Sequence, residues 1–132
     1  MLTLCKIDGV TYDVLVTAIQ EKTEVIEGAN SGVSIQRQRE IRDILGIKIG
    51  HAVTFAPDND PDEFDKLYKY LFRNIRQSVM IEIADGTETI SYEAAYNTCT
   101  RDVTREDDFV DRVHYNEMTI DFRPIENQID AG

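Results

Sequence analysis

Apolar and polar residues alternate along much of this chain, and a period of two marks strands with one buried face. In VTYDVLVTAIQ, Val10, Tyr12, Val14 and Val16 share a face. Leu2, Leu4 and Ile7 precede them, and Asp8-Gly9 offers a tight turn, so the pattern predicts an N-terminal hairpin. Further on the apolar positions change phase, to Ile19 and Val25, which predicts a bulge or twist. GANSGVS (28–34) has loop composition. IQRQREIRDIL fits two periods. Ile41, Ile44 and Leu45 have helical spacing, whereas 35–41 alternates; strand is the preferred reading. Gly46 and Gly50 bracket IKI, and HAVTFAP reads as a strand stopped by Pro57.

Only 61–74 carries an unambiguous helical stripe, through Phe64, Leu67, Tyr68 and Leu71. SVMIEI and TISYEAAYNTCT alternate on either side of an Asp85-Gly86 turn and predict a second hairpin. TREDDFVDR is a charged loop. Met118, Ile120 and Phe122 alternate in a closing strand that ends at Pro124. The predicted class is mostly β (α+β): a β-sandwich or barrel of about six to eight mainly antiparallel strands with one flanking helix. Residues 1–126 form a single domain in this reading, and 127–132 a loose tail.

Charge narrows the functional classes. The 132 residues carry a formal net charge of −11. Capture of a nucleic-acid backbone needs a basic face, so no specific nucleic-acid binding is expected. No apolar run is long enough to span a bilayer as a helix, and MLTLCKIDG lacks the features of a signal peptide, so the expected compartment is the cytoplasm. Cys5 and Cys99 are read as free thiols.

The acidic stretch DNDPDEFDKLYKYL poses a choice, because Asp58, Asp60 and Asp62 alternate as calcium ligands do. An EF-hand loop needs Gly at its sixth position and a bidentate Glu at its twelfth. Here those positions hold Glu63 and Lys69. Helix-start chemistry fits instead, with Asp60 as N-cap, Pro61 at N1 and Glu63 reaching back as in a capping box. Cys5, Cys99, His51 and His114 lack the short spacings of a zinc site. There is no nucleophile elbow and no phosphate-binding glycine loop. No catalytic residue, metal ligand or cofactor is therefore assigned, and the chain is read as a non-enzyme.

Arg37, Arg39 and Arg42 stand out, as three of the 14 basic residues within six positions. They are the candidate subunit interface, suited to acidic patches such as 58–65 or 106–111 on a neighbouring copy.

SYEAAYNTCTRDVTR followed by HYNEMTIDFRPIENQ resembles the end of small tail proteins of phages and prophages. KIDGVTYDVLVTAIQEKTEVIEG and ILGIKIGHAVTFAP…EFDKLYKYL resemble the same group. The likeness covers nearly the whole chain but consists of packing patterns rather than chemical signatures. Tyr115 and Gln128 stand where Trp and Pro are expected. The resemblance implies a tail-tube-like fold and a virion structural component without an active site: a tube, terminator or baseplate protein. It also implies a homo-oligomer, such as a hexameric ring, in contact with other tail proteins. Such a protein assembles in the bacterial cytoplasm and ends in the virion tail. The alternative is a monomeric β-barrel that binds a ligand or peptide.

Overall fold

The computed structural model describes residues 3–28, 32–34, 39–41 and 44–130; side chains are described outside 29–43 and 130. Its strands are β1 (Cys5–Ile7), β2 (Leu15–Glu27), β3 (Gly32–Ser34), β4 (Arg39–Ile41), β5 (Ile44–Ala56), β6 (Val79–Asp85), β7 (Glu88–Ala95), β8 (Met118–Pro124) and β9 (Ile129–Asp130). The helix, α1 (Pro61–Phe72), lies between β5 and β6. One seven-stranded sheet runs in the order β1-β6-β7-β8-β5-β2, with β9 also on β5, and β3 and β4 pair separately. All these pairings are antiparallel. The fold is thus β-rich with one flanking helix, as the alternation predicts.

The sheet turns where β7 meets β8, a junction of only Ala94↔Pro124 and Ala95↔Arg123. Its two halves enclose one core. His51, Val53 and Phe55 of β5 stand opposite Phe122, Ile120 and Met118 of β8, and all six are buried. Val79, Ile81 and Ile83 of β6 and Tyr92 and Ala94 of β7 close it from the other half. Phe64, Leu67 and Leu71 bring the apolar stripe of α1 into the same core. Val14 is buried there too, while Val16 packs against it half-buried.

The helix start is the one its sequence predicts. Asp60 is the N-cap, and its carboxylate accepts from the N–H groups of Asp62 at 3.0 Å and Glu63 at 3.4 Å. The capping box is incomplete, because Glu63 does not return the bond and its Oε2 is buried without a partner.

Four expectations need correction. The N-terminal hairpin shrinks to a single bridge, Ile7↔Val10, across Asp8 and Gly9, both at positive φ. The Asp8 N–H donates to the Met80 carbonyl and its carboxylate accepts from the Met80 N–H, each at 2.7 Å. That ties β1 to β6, and β2 goes on to pair with β5. In the stretch read as the 28–34 loop, Gly32–Ser34 is strand β3, paired with Arg39–Ile41. The helix closes at Phe72, two residues early, with Arg73 as its C-cap. Residues 127–130 are not loose. The Gln128 side chain forms a two-bond clamp on the Ile49 backbone, at 2.9 and 2.6 Å, and β9 pairs with β5. Gly46 permits this approach, since a Cβ there would lie 2.6 Å from the Ile129 carbonyl oxygen and also against Asn127. The predicted bulge is present, as a register shift between Val16 and Ala18. Strand is also the structure found at 39–41.

Leu67 is fully buried among the core side chains, so Leu67→Ala is expected to cost about 2–5 kcal/mol in denaturant unfolding. Asp60→Ala should cost about 0.5–2 kcal/mol through the lost cap. Added calcium should leave the melting temperature of the parent protein unchanged; a rise of several degrees would restore the calcium-loop reading.

Candidate interaction surface

The three arginines of the predicted interface cannot be placed as a group. Arg37 and Arg42 lie outside the described residues, and Arg39 is known only as a backbone position in β4, opposite Ser34. The acidic surface expected to receive them can be placed, and the chain itself already occupies part of it. Arg112 pairs with Asp62 and, through Nη2, with Asp65 at 2.8 Å. Arg101 reaches the other Asp65 oxygen at 2.7 Å. The Arg101 guanidinium lies over the rings of Tyr68 and Tyr115, 3.7 and 3.8 Å from their centroids. A half-stacked, nearly buried guanidinium on a carboxylate is a strong local tie. It pins the segment after β7 to the first turn of α1. Asp62 and Asp65 are thus engaged within the chain, although the Asp62 side chain stays largely exposed. Within 106–111, Glu106 faces His114 at 3.7 Å and Phe109 is 96% exposed.

Sequence reading passed over Arg101 and Arg112 because each is an isolated cation. Their carboxylate partners lie 36 to 50 positions away. Tyr115, which replaces an expected Trp, offers the ring face that Arg101 uses. Gln128 replaces an expected Pro and donates its N–H to the Ile47 carbonyl at 3.0 Å, a bond that proline cannot make.

The groups most suggestive of chemistry are at the end of the core. His51 is 2% exposed, and its Nδ1 is 2.8 Å from the Tyr92 hydroxyl. Its Nε2 is 3.5 Å from Glu21, the residue opposite it on β2. A neutral ring protonated on Nε2 satisfies both contacts, with the hydroxyl donating to Nδ1. Burial holds the His51 imidazole below its ordinary 6.5, against the opposing pull of Glu21 and Asp85. Burial raises the Tyr92 hydroxyl and pushes the Cys5 thiol up to about 12. The row has the connectivity of a proton relay. It ends on a phenol held neutral, however, and Cys5 is a thiol rather than a thiolate at neutral pH. Among the described residues, no group of three or more His, Cys, Asp or Glu side chains is placed to hold a metal ion. No helix among them is long and apolar enough to cross a membrane.

Among the clefts beside this core, two bear on binding. One, of about 240 Å³, reaches Ile7, Phe55 and Leu67 between β1 and the start of β2. The other, of about 520 Å³, lies between β7 and the C-terminal return, lined by Ile49, Ile90, Tyr92, Gln128 and Ile129. Strand β2 is largely exposed. Apart from Val16, Ile19 and Ile26, which are half-buried, every residue of this 13-residue strand is exposed.

No protein-family model, no curated protein and no solved structure matches the chain. The likeness to tail proteins therefore rests on the residues quoted for it alone.

The buried titratable groups set a pH window. His51, with its value lowered on folding, contributes stability that is complete above 6.5 and lost as pH falls through its folded value. Cys5, raised from 9.0 to about 12, contributes stability that is complete below 9.0 and lost as pH rises towards 12. Thermal unfolding should therefore show a plateau between those limits. His51→Gln should flatten the acid limb and leave the alkaline limb in place.

Proposed function

We infer that the protein is a self-assembling structural component of a phage or prophage tail: a tube, terminator or baseplate protein. The observation that carries this reading is the exposure of β2, a 13-residue strand whose two faces and outer edge meet solvent along most of its length. An edge strand of that length presents a row of unpaired backbone N–H and C=O groups, a template on which another chain can add a strand. The tail-like strings at the C-terminus and the β-rich architecture with one helix agree with it. So does the charge. A conduit must pass DNA without holding it, and a net charge of −11 on each subunit repels phosphate and leaves no counterion-release gain.

One observation favours the alternative, a monomeric binding module. The cleft of about 520 Å³ falls in the size range of ligand sites and combines apolar walls from Ile49, Ile90 and Ile129 with polar groups from Glu93, Asn127 and Gln128.

Electron microscopy of the purified protein should show rings or tubes. Changing Arg37, Arg39 and Arg42 together to Glu should weaken the assembly, and duplex DNA should not bind at physiological salt. A strictly monomeric protein in which the triple change is silent would leave the binding module as the better reading. Tight DNA binding would remove the conduit.

A further inference from the structure

The outer edge of β2 has a defined hydrogen-bonding phase. Ile49 fixes the hydrogen-bonding phase. Its N–H donates to Gln128 Oε1 and its carbonyl accepts from Gln128 Nε2, so both backbone groups face away from β2. Ile49 stands opposite Thr23. In an antiparallel ladder, opposed residues exchange both bonds or neither. The N–H and carbonyl of Thr23 therefore point outward, to the free edge, and by alternation so do those of Glu21 and Val25. Register between β2 and β5 is unbroken from Ala18 to Ile26, so the phase holds across this stretch. No strand among the described residues covers that edge.

A second copy related by a two-fold axis can pair with this edge only where outward-facing residues meet outward-facing residues. The axis must then pass through a residue, not between residues. Through Lys22 it sets lysine against lysine, and through Glu24 it sets glutamate against glutamate. Through Thr23 it sets Lys22 opposite Glu24 of the second copy and Glu24 opposite Lys22 of the second copy. Both are non-hydrogen-bonded pairs, the closer kind, with Cα atoms about 4.5 Å apart. Lys22 is half exposed on its face, 3.5 Å from Asp121 of its own chain, and Glu24 is exposed. Backbone phase and charge thus select the same register.

We propose that β2 forms a homodimer by antiparallel edge pairing centred on Thr23, continuing the sheet from one copy into the next through Gln20–Ile26. The contact is isologous and closes on itself. It does not depend on the tail reading, because any ring would need a second, different surface.

The test is the mass of the full-length protein by sedimentation equilibrium. The parent should dimerise. Lys22→Glu and Glu24→Lys should each weaken the dimer about tenfold or more, because each turns two attractive cross-strand pairs repulsive. The double variant Lys22→Glu/Glu24→Lys should restore the dimer. Thr23→Pro should abolish it while leaving a folded monomer by circular dichroism, since that N–H is unused within the chain. A parent that stays monomeric at its highest soluble concentration overturns the proposal. So does a dimer indifferent to both single reversals, or one that the double variant fails to rescue. Rings that survive both reversals would overturn this pairing and leave the tail reading intact.

Discussion

The alternation of β5 is the constraint on which the rest depends. His51, Val53 and Phe55 must leave water together, and they lie on one face of a strand with β2 on one side and β8 on the other. That face needs a lid. β6, β7 and the apolar stripe of α1 form it, and the sheet must turn at β7–β8 to bring them over. The turn leaves β7 and β8 joined by only two residue pairs. The C-terminal segment then returns to β5, where Gly46 and the Gln128 clamp receive it. A glycine is needed because the returning backbone passes where a Cβ would stand, and Gly50 gives the same clearance to Phe122 and Pro124.

Charge is organised just as tightly, but over long range. A chain with many more acids than bases must keep its carboxylates from repelling one another. The first turn of α1 concentrates several, where the helix dipole favours them. Arg101 and Arg112 then bring compensating charge from the far side of the sequence. Because Arg101 is also stacked between two tyrosines, the tie is partly shielded from solvent and salt. The consequence for assembly is direct. Asp65, held by both arginines and largely covered, is committed to the fold, whereas Asp62 keeps most of its surface in solvent.

This explains what could be read from the sequence and what could not. The helix was legible through Asp60, Pro61 and the Phe64–Leu67–Leu71 stripe, since caps and stripes act over a few residues. The bulge near Thr17 was legible because a change of phase is itself a local signal. The hairpin at Asp8-Gly9 misled because turn chemistry says where a chain reverses but not which strand its edge then joins. Asp8 is bonded to Met80, and nothing near it in sequence announces that. The tail misled for a similar reason, as NQIDAG has loop composition and its order comes from β5. Among interaction residues, Arg37, Arg39 and Arg42 attracted notice by crowding. Lys22 and Glu24 are ordinary surface charges until the phase of β2 is known.

An exposed edge of this length also needs protection from the wrong partner, and the same residues provide it. A uniform apolar edge would accept any register and any strand, which leads to aggregation. Here the bulge between Val16 and Ala18 ends the regular ladder at one end, and the shift between Ile26 and Glu27 ends it at the other. Glu21, Lys22 and Glu24 each set a like charge against itself in the symmetric register centred on that residue. The charges that disfavour these registers are those that favour the proposed pairing centred on Thr23. Attraction and exclusion are carried by a single short sequence, QEKTE.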